Sequence, residues 1–201
     1  MGIAVSAARG QDLALAQRAT EGDRAAQREL FAGQKNAVHH TLFRILGSNR
    51  ELEDLIQDAF LEIFRALPSF RGDSTLSRWC QTIATRTAYL AIERRKPTSV
   101  DLEVVENEIV DRDPDAHRVA LARQAARRLY AALDKLDPKM RVAFALAVID
   151  GLSLNEVATM TESSLVAVKT RVWRARRELM KRAQKDPVLA SYLADLGGGE
   201  P

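Results

Sequence analysis

Apolar residues return at spacings of three and four along most of this chain. No stretch alternates with the period of two that a half-buried strand requires. The most regular run lies between Ser48 and Pro68. There Leu52, Leu55, Ile56, Ala59, Phe60, Ile63, Phe64 and Leu67 form one uninterrupted core face. Ser48 and Glu51 have capping-box spacing at its start, and Pro68 marks its end. The opposite face holds Asp54, Gln57, Asp58, Leu61, Glu62 and Arg65. Leu61 is the odd member, an apolar side chain on the stripe of Asp54 and Asp58. Two readings stand: a lone exposed leucine, which is ordinary, or the apolar centre of a docking site with a charged rim.

The same rhythm places the other elements. A short helix is expected over residues 12–19, after a small, polar, disordered tail at residues 1–11. Asp23 can cap a helix whose stripe continues through Val38, Leu42, Ile45 and Leu46 to the stop at Gly47. A turn-rich loop, Phe70-Arg71-Gly72-Asp73-Ser74, precedes a helix over 75–96. Leu76, Trp79, Cys80, Ile83, Ala84, Thr87, Leu90 and Ala91 lie on its expected buried side, and it ends in Arg94-Arg95-Lys96. That loop and basic helix end are compatible with stacking and phosphate contacts to single-stranded nucleic acid. On local pattern alone, a solvated terminus whose charge suits the helix dipole is the favoured reading. Helices are expected again over 115–133 and from Asp137-Pro138 to Asp150, with Gly151 as the stop.

Residues 153–181 carry a different pattern. Ser153 and Glu156 can form a capping box, and Leu154, Val157 and Ala158 give a short apolar stripe. Thr161, Glu162 and Ser163 break it. Ser164 then caps a longer helix with Leu165, Val168, Val172, Ala175 and Leu179 on one face and many lysines and arginines elsewhere. A short helix, a turn and a longer basic helix is helix-turn-helix geometry. Val166, Ala167, Thr170, Arg171 and Arg174 fall away from the buried stripe and are the candidates for facing DNA bases. Lys169, Arg176 and Arg177 suit phosphates. A basic surface helix in a plain bundle is the alternative reading.

Charge sharpens this division. The 201 residues carry a net charge of only +3, with 46% hydrophobic and 28% charged residues. Between Lys139 and Lys185, however, stand ten basic and four acidic residues. Between Asp101 and Asp115 stand seven acids and one base, Arg112. The fold class expected is therefore all-α, two helical domains joined by an acidic linker. The boundaries fall at residues 12–97, 98–115 and 116–185, with a C-terminal tail at 186–201 in which residues 188–196 suit a short amphipathic helix. Cys80 is the single cysteine, which excludes an internal disulfide and suits a reducing cytoplasm. No apolar run is long enough to span a bilayer, and no signal peptide is evident. His39 and His40 are adjacent and so point to different sides of a helix, which argues against a shared metal. No catalytic constellation and no cofactor motif appear, so the chain reads as a binding protein and not an enzyme.

Three runs together resemble the bacterial RNA polymerase sigma factors of the extracytoplasmic-function type. Asp54-Leu55-Ile56-Gln57-Asp58-Ala59-Phe60-Leu61 is similar to the core-binding signature of sigma region 2. Phe70-Arg71-Gly72-Asp73-Ser74, followed by Trp79, Ile83 and Ala84, is similar to its promoter-melting part. Residues 133–182, including Gly151-Leu152-Ser153, Glu156-Val157-Ala158 and Val168-Lys169-Thr170-Arg171, resemble region 4. The resemblance implies that Asp54, Gln57, Asp58 and Leu61 dock on the clamp helices of the polymerase β′ subunit. It implies that Phe70, Arg71, Gly72, Asp73, Ser74, Arg86, Arg94 and Arg95 hold the opened −10 element. It further implies that Ser164, Val166, Ala167, Lys169, Thr170, Arg171 and Arg174 read the −35 element, while the outer side of that domain meets the β flap. The linker then passes toward the RNA exit path, its acids mimicking nucleic acid. An anti-sigma factor is an expected partner beside core polymerase and promoter DNA.

Five positions depart from the family pattern. Arg86 and Leu90 stand where asparagine and a polar residue are frequent, which leaves the −10 sequence open. Glu162-Ser163 stands where glycine and an apolar residue are usual, which implies a strained or differently set turn. Trp173 replaces a small or polar residue, and packing, DNA backbone and a protein partner all remain open for it. Outside the resemblance, a one-component regulator that binds duplex DNA without polymerase, and a helical adaptor that binds only protein, remain as competing readings.

Overall fold

A computed structural model describes residues 2–48, 51–94 and 116–197. Among them every regular element is helical. The linker at 98–115, with Arg95 and Pro97 before it and the last residues from 198 on, lies outside the described residues.

The first helix, α1, spans Gly2–Thr20. The backbone is thus helical through residues 2–11, where the sequence suggests a tail. Ala4, Ala7 and Ala8 are strong helix formers, and composition alone gives them too little weight. Asp23 caps α2, Arg24–Leu46, by accepting from the amides of Ala25 and Ala26. Gly47 closes it with φ 72°, the left-handed conformation a helix end favours in glycine. Helix α3 spans Leu52–Ala66. The capping box expected from Ser48 and Glu51 does not form. Glu51 is itself the N-cap, in the left-handed conformation at φ 68° and with no side-chain capping bond. A 3-10 turn, Leu67–Ser69, leads to α4, Leu76–Arg94. A carboxylate from elsewhere, Asp12 of α1, accepts from the amide of Leu76 at 2.8 Å and caps α4. Leu30, Val38, Leu42 and Ile45 of α2 pack on Ile56, Ala59, Phe60 and Ile63 of α3 and on Leu76, Cys80, Ala84 and Ala88 of α4.

The second half comprises α5, Ala116–Leu133, and α6, Pro138–Phe144, which runs into a π-helical turn, Ala145–Ile149. Then come α7, Leu154–Met160, α8, Leu165–Ala183, and α9, Pro187–Gly197. Asp137 caps α6 with Pro138 at the first position, and Gly151 turns the chain at φ 71°. The C-terminal segment is helix over Pro187–Gly197, where the amphipathic pattern of residues 188–196 falls, and it is docked by Leu189 and Leu193 against Leu129, Leu133 and Leu179.

The two halves do not stand apart. Val142, Ala143, Ala145, Leu146, Val157, Met160 and Val168 are buried in the same apolar cluster as α2, α3 and α4. This contact accounts for the one face the periodicity misassigns. On α4 the buried residues are Leu76, Cys80, Ala84, Thr85 and Ala88. Trp79, Ile83, Thr87, Leu90 and Ala91 are only half-buried. Helix α4 is covered from two sides, by its own domain and by α6 and α7.

Candidate polymerase and nucleic-acid interfaces

Helix α3 buries Leu52, Ile56, Ala59, Phe60 and Ile63, so its other stripe must face outward. Asp54, Gln57, Asp58 and Leu61 are all exposed, Leu61 at 62%. Neighbouring Glu62 is paired with Arg65. The three polar residues of the stripe form no hydrogen bond or ion pair among the described residues. An exposed leucine between unpaired acids is a surface that can exchange water for an apolar partner with a basic rim.

The loop after the 3-10 turn is divided. Arg71 and Asp73 are exposed, Ser74 is half-buried with its hydroxyl donating to the Thr75 carbonyl, and Gly72 takes φ 75°. Phe70 goes the other way. It is 7% exposed, inside the first-domain core, with its ring 5.4 Å from that of Trp79. An aromatic beside an apolar 3-10 turn gains more from that core than from solvent, so in this arrangement Phe70 supports the loop and offers no ring to a base. Arg86 and Arg94 are exposed on α4, and Arg95 lies outside the described residues.

The helix-turn-helix is built as its sequence suggests. Ser153 and Glu156 form a reciprocal capping box on α7, and Ser164 caps α8 through the amide of Ala167. Glu156 is held below the ordinary carboxylate range, first by the Ser153 hydroxyl, then by the Ser153 amide, with Arg78 adding to both. In the turn Glu162 takes φ 47°, a left-handed conformation that costs a residue with a Cβ. Val168, Ala175 and Leu179 are buried, while Val166 is 73% exposed and Lys169, Thr170 and Arg174 also face solvent. Ala167 is half-buried. Arg171 folds back: its Nη1 donates to the Ser163 hydroxyl at 2.7 Å, and it is half-buried. Trp173 is 58% exposed and carries the Arg177 guanidinium 5.4 Å from its ring centroid.

Arg86 and Arg171, expected to meet different promoter elements, line one cleft of about 520 Å³. Thr82, Thr85 and Tyr89 of α4 and Lys139, Thr161, Glu162 and Ser163 of the second half complete its polar wall. Four residues that set this geometry, Asp12, Arg78, Tyr130 and Arg141, are not among the candidates read from the sequence. Only Arg141 carried a signal, as a cation inside the apolar run from Met140 to Ile149. Elsewhere, burial raises the Cys80 thiol to about 12 and lowers His39, whose ring stacks on Phe43. Among the described residues no group of three or more metal-ligating side chains forms, and no helix is long and apolar enough to cross a membrane.

The sigma-70 region 2 family matches residues 30–98, and the sigma-70 region 4 family matches residues 126–179. The ECF RNA polymerase sigma-E factor of Escherichia coli strain K12 is 29% identical over 181 residues, 86% of this chain and 94% of that protein. The solved structure of CnrH in complex with the cytosolic domain of CnrY superposes with a TM-score of 0.58 at 26% identity, covering 87% of this chain and 98% of that one. The sigma factor RpoE of Bartonella quintana, solved with the anti-sigma factor NepR, shares the fold with a TM-score of 0.56 at 20% identity over 79% of this chain and 97% of that one.

Proposed function

Since the chain belongs to the extracytoplasmic-function family of RNA polymerase sigma factors, which direct core polymerase to promoters, we propose how its surfaces divide that work. Residues 12–97 act as the region 2 domain and residues 116–185 as the region 4 domain, with 98–115 as the acidic connection. Asp54, Gln57, Asp58 and Leu61 of α3 dock on the β′ clamp helices. Arg71, Gly72, Asp73, Ser74, Arg86, Arg94 and Arg95 hold the −10 element. Ser164, Val166, Ala167, Lys169, Thr170, Arg171 and Arg174 engage the −35 element, and the far side of region 4 meets the β flap.

The observation that carries this reading is the outward stripe of α3, in which unpaired acids surround an exposed leucine. A solvated helix face gains nothing from Leu61, whereas a docking face does. The chain works by binding and not by catalysis. Contacts made only to strand-separated DNA favour the open complex over the closed one and so shift an existing equilibrium. It acts in the cytoplasm, where polymerase and promoter are found. An anti-sigma factor holds it in reserve, a reading supported by the Bartonella RpoE, which is solved in complex with the anti-sigma factor NepR.

Run-off transcription with core polymerase and the DNA upstream of its own gene tests the assignment. A defined transcript is expected, and Asp58→Arg or Leu61→Ala removes it while the helical circular-dichroism signal and melting midpoint stay in place. Tight duplex binding by the chain alone, with no transcript from any template, would overturn it.

A further inference from the structure

Three cations line the cleft between α4 and the second half: Arg86 of α4, Lys139 of α6 and Arg171 of α8. A single acid, Glu162, stands among them. Among the described residues Arg86 and Lys139 form no ion pair, and Arg171 hydrogen-bonds only to the Ser163 hydroxyl. Neither promoter assignment uses Lys139. It stands in the first turn of α6, where a cation opposes the helix dipole. Like charges gathered on low-dielectric walls repel one another and focus a positive field into the space between them.

The cleft is preformed. Arg141 Nε and Nη2 donate to the carbonyls of Ile45 and Leu46 at 3.0 and 2.9 Å, and Tyr130 Oη donates to that of Arg44 at 2.9 Å. Arg141 is 2% exposed, and its remaining nitrogen, Nη1, is bonded to Asp134. Arg78 of α4 reaches both Glu156 and the sulfur of Met160, which itself lines the cleft. These bonds hold the chain closed and fix both walls, so a ligand between them does not have to order them.

The donors left for a ligand are of one kind. The hydroxyls of Thr82, Thr85 and Thr161 donate to the carbonyls four residues earlier, and that of Tyr89 donates to Glu93. Their protons are already used, which leaves two guanidinium groups and one ammonium group. Such donors bind most strongly to charged oxygens, and three of them suit an anion that carries several. At about 520 Å³ the space lies within the range of about 300–1,000 Å³ typical of small-ligand sites. A duplex, whose major groove alone is about 12 Å wide, cannot enter it.

We propose that this cleft binds a small oligophosphate anion, free or as the tail of a nucleotide, held by Arg86, Lys139 and Arg171. The inference goes beyond the promoter assignments and does not depend on them. Under those assignments the ligand occupies Arg86 and Arg171 and competes with DNA for them.

Calorimetric titration of the full chain at constant ionic strength tests the site. The probes are tripolyphosphate and magnesium-free ATP and GTP, with sulfate and adenosine as controls. Saturable binding of tripolyphosphate or a nucleotide is expected, one per chain. Lys139→Ala and Arg86→Gln should each weaken it about tenfold, the contribution of one charge-assisted bond. Lys35→Ala removes the same charge from an exposed position of α2 outside the cleft and should leave binding unchanged. Arg86 and Lys139 are exposed, so the melting midpoints of the unliganded variants should match the parent. In the parent chain the amide resonances of Thr82 on one wall and Ser163 on the other should shift together with saturation. Tripolyphosphate binding as tightly as the nucleotides supports a free oligophosphate, and tighter nucleotide binding supports a ligand that includes the nucleoside. No binding of any probe overturns the site, as does binding that sulfate matches or that Lys35→Ala weakens as much as Lys139→Ala. A chain that binds single-stranded DNA but neither tripolyphosphate nor nucleotide also overturns it and leaves these cations to promoter DNA. The titration contains no polymerase, so its failure is separate from a failure of the sigma assignment.

Discussion

Helices α3 and α4 are neighbours in one domain, and both show apolar residues at three and four spacings, yet their outer faces have opposite fates. The outer face of α3 is open, with Leu61 62% exposed among unpaired acids. The outer face of α4 is covered by the second domain, so Thr85 and Ala88 are buried beyond the expected stripe. The free chain thus presents its proposed polymerase contact and shields part of its proposed DNA contact. This order of access suits a factor that meets polymerase first and promoter second.

The largest effects separate core from docking face within α3. Ile63 is fully buried, and Ile63→Ala removes its methyl groups from a packed core. That substitution is expected to cost about 2–5 kcal/mol in a urea melt and to lower activity only through lost folded protein. Leu61→Ala, two residues earlier, is expected to change stability by less than about 0.5 kcal/mol while abolishing transcription. Equal stability losses at the two positions would erase the distinction between the faces.

Next in size is the covered side. Arg141→Met leaves the Ile45 and Leu46 carbonyls without donors and Asp134 without its buried partner. Removing one member of a buried charged pair costs about 3–5 kcal/mol, and the partial exposure of Asp134 places the expected loss at the lower end. Tyr130→Phe removes one hydroxyl and is expected to cost about 1 kcal/mol. Both should speed hydrogen exchange at the end of α2 as well as near their own positions. Protection that falls only in the second domain would show that α2 is completed without it.

How much of this was legible in the sequence follows from where each signal resides. Helix α3 could be read because its burial comes from one side and repeats within a few residues. The helix-turn-helix could be read because its caps, Ser153 with Glu156 and Ser164, act over three residues. Phe70 could not be placed, since an aromatic among glycine, aspartate and serine looks like a ligand until Trp79 is seen beside it. The capping of α4 by Asp12 and of the α2 end by Tyr130 and Arg141 joins residues far apart in the chain, where periodicity carries no information. The closed cleft follows from those distant bonds, which is why Arg86 and Arg171 look independent in the sequence and share a wall in the fold.

A smaller effect comes from pH. Glu156 bridges the two faces, capping α7 and pairing with Arg78 of α4. Its folded pKa is depressed, so its contribution is present above the unfolded value of about 4.3 and is lost as pH falls through the folded value. Glu156→Gln is expected to lose about 0.5 kcal/mol at neutral pH, since glutamine still accepts from Ser153, though without charge, and a half-exposed ion pair adds little. The variant should show no further loss from this site below pH 4.3, so the two stability curves converge in acid. Parallel curves would mean that this carboxylate does not link stability to pH.

An effect of similar size reports the cooperative unit. Glu162 pays for a left-handed turn at φ 47°, a conformation that costs a residue with a Cβ about 1–2 kcal/mol. Glycine adopts it freely but brings about 0.5–1 kcal/mol of extra unfolded-state entropy. Glu162→Gly should therefore stabilise by about 0.5–1 kcal/mol in urea. The accompanying shift in Tm depends on how many residues melt together. It is about 2–4 °C per kcal/mol for a unit of 150–250 residues and about 4–8 °C for one of 60–100. Because Val142, Leu146 and Met160 share a core with α2, α3 and α4, the closed chain should melt as one unit and give the smaller ratio. The larger ratio, with a second transition, would mean that the helix-turn-helix domain unfolds alone and that α4 is covered only loosely. The same measurement on the Tyr130→Phe background should move the ratio upward, since weakening the contact lets the two domains melt separately.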